Sequence, residues 1–150
     1  MPCISIGYIV QNGTSWKEQS SAEVKAQKKS AESHAERQAF EGFGNKNGPY
    51  LIVQDAFPCF DGCHQHFLNM SKSKPGKKKD EEPVPGSSVI IKVTADNTYD
   101  MNSYVQQGLI SAKVGCFPWY IYYQNGTATF RMGIARAPQG FPVHPSPQNV

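Results

Sequence analysis

Two short stretches of the sequence carry side chains that could together bind a metal ion. The first contains His34 and, two residues later, Glu36; the second is Pro58-Cys-Phe-Asp-Gly-Cys63, with cysteines at both Cys59 and Cys63. One histidine and two cysteines supply three zinc ligands, the number that leaves a fourth position open for water in a catalytic site. Zinc lowers the pKa of its water from ~15.7 toward neutrality, and a nearby glutamate can move the proton. The three residues are therefore the predicted ligands, and Glu36 is the predicted acid and base.

The spacing of the two cysteines leaves an alternative for the third ligand. Cys59 and Cys63 are four positions apart, which places them on one face of a helix, with an irregular helix start expected around Gly62. His64 follows Cys63 directly and is the alternative ligand. A fourth protein ligand, such as His64 or His66, would close the site and make the zinc structural. Otherwise both histidines are expected on the helix surface.

The same residues also have ordinary structural interpretations. Glu36 fits a capping box with Ser33, in which the two residues satisfy free backbone groups at a helix start. Cys59 and Cys63 could be buried thiols, because free cysteine is among the most buried residue types. The coincidence of these residues with Pro58 and with a buried strand before it favours the metal site.

The first half of the chain predicts the elements that must hold the histidine and the glutamate. Residues 3–11 alternate apolar and polar types at the start and are rich in β-branched residues, which indicates a strand. Residues 20–44 lack proline and are rich in Ala, Glu, Lys and Gln, so they are expected to be helical in two pieces. The second piece is expected to begin at Ser33 and to end at Gly42 and Gly44.

The second half of the chain predicts further strands separated by helices and loops. Residues 50–57 form a nearly continuous apolar run, typical of a central strand, and a helix is predicted from Pro58 to about Met70. Asn125-Gly126 is a strong hairpin signal between the strands predicted at 117–124 and 127–134. The other predicted segments are a surface loop at 71–87, a strand at 88–95, a helix at about 99–110 and a proline-rich, loosely attached tail at 137–150.

Length and composition indicate one domain, assigned to residues 1–136, followed by the tail. The chain has 150 residues, and its 13 glycines and 11 prolines are fewer than low-complexity chains contain. A chain of this size buries enough surface to fold without a metal or disulfides, so a metal needs another explanation. No aliphatic run approaches the ~18 residues of a membrane span, and no signal peptide is visible. Strands interleaved with helices predict the α/β class.

The pattern His-x-Glu followed by Pro-Cys and a second cysteine resembles the signature of the cytidine deaminase-like superfamily. The resemblance covers residues 34–36 and 58–63, and the order of strands and helices over about residues 3–95 is similar to the family core. The commonest family spacing has two residues between the cysteines, whereas this chain has three. The resemblance implies a three-layer α/β/α fold with a mixed sheet of about five strands, helices on both faces and a C-terminal β-hairpin.

The family resemblance also implies an activity and a set of site residues. The activity would be hydrolytic conversion of cytosine to uracil, with zinc as the cofactor. The implied residues are His34, Cys59 and Cys63 as metal ligands, Glu36 as the proton shuttle, and Phe57 and Phe60 as the lining of the substrate pocket. Rival interpretations are a deaminase of free nucleosides or of adenine and a non-enzymatic binding module with a structural zinc.

Within the superfamily, a compact chain with a loose tail resembles the toxin deaminase domains that bacteria attach to large secreted proteins. That resemblance implies a nucleic-acid substrate, with DNA favoured, a cognate immunity protein and delivery into the cytoplasm of a target cell. No membrane partner is expected. Five lysines lie between Lys72 and Lys79 and are followed by acidic residues 80–82; they form either a solvated loop or an arm that attracts phosphates.

Overall fold

A mixed six-stranded sheet organises the part of the chain that the structure describes. The structure is a computed structural model that describes residues 3–11, 15–24, 34–44, 48–76, 78–83, 86–96, 100–111, 117–134, 136–142 and 145–150. Its elements are β1 (Cys3–Gln11), β2 (Ser15–Val24), α1 (Ala35–Glu41), β3 (Tyr50–Gln54), a π-helical turn (Phe60–His64), α2 (Gln65–Met70), β4 (Val89–Val93), α3 (Met101–Gln106), β5 (Trp119–Gln124), β6 (Thr127–Met132) and a 3₁₀ turn (Pro147–Asn149). The predicted α/β class is confirmed.

The strand order is β2-β1-β3-β4-β5-β6, so the predicted sheet of about five strands is one strand too small. β3 and β4 pair in parallel, and the other neighbouring strands pair antiparallel. These two central strands are buried at four of five and at all five positions, respectively, as their apolar sequences predict. A parallel pair needs a crossover connection, and the chain between β3 and β4 supplies it with the π-helical turn and α2.

The first five residues of the segment expected to be helical, residues 20–24, belong to a strand, and residues 25–33 lie outside the described ranges. β2 covers Ser15–Val24 and pairs antiparallel with β1, with Ser20 opposite Gly7. The Ala- and Glu-rich composition favoured a helix from residue 20, but pairing with β1 overrides local propensity. The later helix begins at Ala35 with His34 as its N-cap residue, and Ser33, the predicted cap, lies outside the described residues.

One face of the sheet carries the larger core cluster, and the three described α-helices pack against it. α1 contributes Phe40, α2 contributes Phe67 and α3 contributes Tyr104. The strand residues of this face are Tyr50, Ile52, Val89, Ile91, Val93, Trp119, Ile121 and Tyr123. Within the described ranges, helices therefore cover one face, whereas the sequence predicted them on both. None of these helices combines the length and the apolar character needed to cross a membrane.

The opposite face is covered by the C-terminal tail. Its cluster consists of Leu51, Ile90, Tyr120, Tyr122 and Phe141. Phe141 belongs to the tail and packs edge-on against Tyr122, with ring centroids 5.0 Å apart. The indole N–H of Trp16 donates a hydrogen bond to the carbonyl oxygen of Pro145 over 2.7 Å. The described tail residues thus make specific apolar and polar contacts where a second helical layer was expected.

The predicted hairpin forms at the expected turn. Asn125 has a φ of 53° and Gly126 a φ of 77°, which are the two positive values of a type I′ turn. The backbone N–H of Gly126 also donates to the hydroxyl of Ser71 over 2.9 Å. This bond connects the hairpin to the start of the loop at residues 71–87, here called the lysine-rich loop. The described part of that loop contains no helix, as predicted.

The packing of the tail predicts a measurable stability effect. Phe141→Ala should lower the free energy of unfolding by about 3 kcal/mol, because it removes a buried aromatic ring from the second face. Chemical denaturation measures the change. Ile134→Ala is the control, since Ile134 is 87% exposed and its removal should change stability by less than about 0.5 kcal/mol. Equal stability of both variants would contradict the packed position of Phe141.

Candidate metal centre

The structure brings the three predicted metal ligands together. The Nδ1 atom of His34 lies 3.3 Å from the sulfur of Cys59 and 3.4 Å from the sulfur of Cys63. All three ligand atoms lie within 4.8 Å of one another, and this group could hold a metal ion. Zinc at ordinary bond lengths in a tetrahedral site needs nitrogen and sulfur ligands about 3.6 Å apart. The observed spacing therefore fits zinc with little movement.

The site lies where two helix starts meet beside the end of β3. His34 is the N-cap residue of α1 and has an extended backbone conformation. Cys59 is the N-cap residue of the π-helical turn, and Cys63 lies within that turn. β3 ends at Gln54, so a short loop delivers Cys59 to the helix start. The predicted convergence of two helix starts and a buried strand is confirmed.

The π-helical turn accommodates the extra residue between the cysteines. The N–H of His64 donates to the carbonyl of Cys59 over 3.0 Å, a bond across five residues that defines this wide turn. The N–H of Cys63 donates to the sulfur of Cys59 over 3.1 Å, so the first cysteine caps the turn with its own side chain. The irregular helix start expected around Gly62 is confirmed.

The two cysteines differ in acidity. Hydrogen bonding from the Cys63 side chain, aided by nearby backbone N–H groups and by His34, lowers the pKa of Cys59 to about 5. The pKa of Cys63 is raised, first by its hydrogen bond to Cys59 and then by burial. Cys59 is thus the more readily ionised member of the pair. A thiol that ionises easily favours metal binding, because cysteine must lose its proton to become a ligand.

Glu36 lies beside the ligand group and is buried. Its side-chain oxygen Oε1 is 3.8 Å from Nδ1 of His34, and the residue is 3% exposed. Burial raises the pKa of the Glu36 carboxyl, although hydrogen bonding with Cys63 and the charge of His34 oppose the rise. A buried carboxyl with a raised pKa next to a metal group has the position and chemistry of a general acid and base.

His64 is a core residue, which corrects the expectation that it lies on the helix surface. It is 3% exposed, and its Nδ1 atom is 2.7 Å from the hydroxyl of Tyr123. Burial lowers its pKa to about 4, so its ring is neutral near pH 7. Among the described residues, the group that could hold a metal contains neither His64 nor His66. His66 is half-buried and packs edge-on against Phe67.

The two phenylalanines predicted to line the substrate pocket occupy different positions. Phe57 is 1% exposed and packs against the ring of Tyr104, with centroids 5.1 Å apart. It therefore supports the site from within the core. Phe60 is half-buried and stacks on His64 with centroids 5.3 Å apart. Phe60 is thus the member of the pair that keeps surface available to a ligand.

Sequence patterns missed the aromatic layer beneath the site. Tyr104 on α3 and Tyr123 on β5 are fully buried, and both pack against His64. The Tyr104 hydroxyl donates to the carbonyl of Pro58, immediately before the first cysteine ligand. The two hydrogen bonds of these tyrosines, to Pro58 and to His64, join residues 46 and 59 positions apart. Contacts over such distances leave no local sequence pattern. The available signal was the presence of tyrosines within a predicted helix and a predicted strand.

The ligand geometry predicts zinc content and its loss. Purified protein should carry about one zinc per chain, and Cys59→Ala, Cys63→Ala or His34→Ala should each reduce that content strongly, because each removes one of three ligands. Elemental analysis after dialysis measures it. His66→Ala is the matched control and should keep the metal. Full zinc retention in Cys63→Ala would remove that residue from the ligand set.

Comparison with known proteins assigns no family to the chain. No protein-family model, no curated protein and no solved structure matches it. The family resemblance of the two motifs therefore stays a prediction, and the chemistry of the site carries the functional inference.

Proposed function

We propose that this protein is a zinc-dependent deaminase that converts cytosine to uracil in nucleic acid, with DNA favoured over RNA. The observation that carries the proposal is the grouping of His34, Cys59 and Cys63 beside the buried carboxyl of Glu36. One nitrogen and two sulfur donors suit zinc, whereas magnesium and calcium prefer oxygen ligands. A site with three protein ligands leaves a position for water, which favours catalysis over a purely structural metal.

Glu36 is the residue that moves protons in the proposed reaction. His34, Cys59 and Cys63 would hold the zinc, which would lower the pKa of a water from ~15.7 toward neutrality. Glu36 would accept a proton from the attacking water as its oxygen adds to C4 of cytosine, and would deliver that proton to ring nitrogen N3. The carboxylate then takes the proton of the new C4 hydroxyl and passes it to the amino group. The C4–N bond breaks, and ammonia leaves as uracil forms.

Phe60 offers an apolar surface for the base. Its half-buried ring lies between the two cysteines in sequence and is held against His64 and Tyr104. A ring fixed in this way can stack on a base without losing further freedom, and such stacking contributes ~1–3 kcal/mol per base at single-strand sites.

The lysine-rich loop supports a polymeric substrate. Lys72 follows α2, and Cys63 lies in the π-helical turn just before that helix, so nine positions, or roughly 13 Å at ~1.5 Å per residue, separate the two residues. That distance corresponds to about four phosphates along one strand at ~3.4 Å each. The described lysines of the loop are exposed. Glu81, one of the acidic residues that follow the lysines, makes a hydrogen bond within the loop. Its carboxylate accepts from the backbone N–H of Lys78 over 3.1 Å.

The biological setting that we propose follows from the resemblance to bacterial toxin deaminases. In this setting, the domain is delivered as part of a larger secreted protein, and a cognate immunity protein blocks its site.

Direct incubation with substrates tests the enzymatic proposal. Zinc-loaded protein, incubated with single- and double-stranded DNA and RNA, should produce C-to-T changes on sequencing, strongest in DNA. Conversion of free cytidine alone, or A-to-G changes, would replace the proposed substrate, and no conversion of any substrate would contradict a deaminase.

The same assay predicts the role of Glu36. Glu36→Gln should retain zinc and fold while losing roughly 10²–10⁴-fold in rate, because the amide cannot carry the proton. Glu41→Gln is the control, since Glu41 lies exposed at the end of the same helix. Single-turnover rates and zinc content are measured for both variants. Wild-type rates in the Glu36 variant would overturn the mechanism.

The lysine-rich loop predicts a salt-dependent effect on binding. Replacing Lys72, Lys74, Lys77, Lys78 and Lys79 with Gln should weaken DNA binding and flatten its dependence on salt, because each neutralised phosphate releases counterions. Fluorescence anisotropy over a salt series measures both quantities. Lys17→Gln, on the exposed edge strand β2, should change neither. An unchanged salt slope in the loop variant would assign these lysines to a solvated loop.

A further inference from the structure

Two buried side chains hold the segment at residues 55–59, here called the Cys59 loop, which connects β3 to the π-helical turn. Gln54 Nε2 donates to the carbonyl oxygen of Ala56 over 2.7 Å. The hydroxyl of Tyr104 donates to the carbonyl oxygen of Pro58 over 2.5 Å. Both side chains are essentially inaccessible to solvent. The loop that carries a metal ligand is therefore fixed from the protein interior.

The Tyr104 bond acts one peptide plane away from a metal ligand. The carbonyl group of Pro58 belongs to the planar peptide unit that ends at the Cα atom of Cys59. The proline ring already fixes φ of Pro58, and the hydrogen bond fixes the direction of its carbonyl and hence ψ. The position of the Cys59 Cα atom follows from these two constraints.

Tyr104 itself has little freedom to move. Its ring packs against Phe57, Phe60 and His64, with centroid separations of 5.1, 5.4 and 5.2 Å. Burial raises the pKa of its hydroxyl, so the group keeps its proton and remains a donor. Tyr104 lies 46 positions beyond Pro58 in the chain, so its place is set by the packing of α3.

Gln54 anchors the other end of the Cys59 loop. Its Oε1 atom accepts a hydrogen bond from the hydroxyl of Ser5 on β1 over 3.1 Å. This bond orients the amide so that its nitrogen points to Ala56. Both ends of the short loop are thus held by groups on other elements, and Cys59 cannot shift without breaking buried hydrogen bonds.

We propose that Tyr104 and Gln54 are positioning residues of the metal centre, which hold Cys59 at bonding distance from a metal bound by His34 and Cys63. The inference rests on the metal-binding part of the proposed function and is independent of the base that is deaminated. Residues that orient ligands typically change metal affinity 10–100-fold when they are removed. Here the orientation acts through the backbone.

Metal affinity tests the inference directly. Tyr104→Phe keeps the ring and removes the donor, and it should weaken zinc binding about tenfold in competition with a chromophoric chelator. With Co²⁺ in place of zinc, the thiolate-to-cobalt absorption band should shift or weaken. Tyr120→Phe, which changes a buried tyrosine on the opposite face, should leave both readouts as in the wild type. A folded Tyr104→Phe protein with wild-type affinity and spectrum would overturn the role of Tyr104.

A second pair of variants tests the other anchor and carries the test if Tyr104→Phe does not fold. Gln54→Met keeps a similar volume but cannot donate to Ala56, and it should also weaken zinc binding and alter the cobalt band. Ser5→Ala removes the hydroxyl that donates to Gln54 and should have a smaller effect. Wild-type metal binding in Gln54→Met would overturn its role. Failure of the wild type to bind zinc would refute the metal centre itself, whereas zinc binding without deamination would refute only the proposed reaction.

Discussion

The parallel pairing of β3 with β4 is the constraint on which the site depends. Parallel neighbours cannot be joined by a tight turn, so the chain that leaves β3 must cross over the sheet before β4 begins. This crossover contains the Cys59 loop, the π-helical turn and α2. The connection before β3 contains α1, which brings His34 to the same edge of the sheet. The three candidate metal ligands therefore meet because the two connections that flank one central strand pass over the same face.

The two faces of the sheet bury different kinds of side chain. The face beneath the helices buries a carboxyl, a neutral histidine and a tyrosine pair, and each buried polar group costs stability unless it is hydrogen-bonded. The opposite face is mostly apolar and aromatic, and the ammonium group of Lys92, which is buried on it, is hydrogen-bonded. Lys92 donates to the main-chain oxygen of Val150 over 2.6 Å and lies against the ring of Tyr120. Apolar burial on this second face contributes stability that offsets the cost of the polar groups buried on the first.

The features that the sequence predicted are those with strong local signals. Asn125-Gly126 requires two positive φ angles, which few other dipeptides tolerate, and the hairpin forms there. The candidate ligand group was predicted because one histidine and two cysteines, both rare residue types, lie at predicted helix starts and beside Pro58. β2 was missed because its composition favours a helix and only the distant pairing with β1 makes it a strand. Tyr104 was missed because its bond to Pro58 spans 46 positions and leaves no periodic trace.

The extra residue between the cysteines also decides which histidine joins the group that could hold a metal. A wide turn closed by the N–H of His64 lets Cys59 and Cys63 stay on one side. The same turn places His64 inward, where it meets the hydroxyl of Tyr123 and is covered by Phe60. A buried neutral imidazole whose Nδ1 atom is already engaged would have to give up that contact to become a ligand through this nitrogen. The three-residue spacing therefore keeps Cys63 in the group that could hold a metal and makes His64 part of the support beneath it.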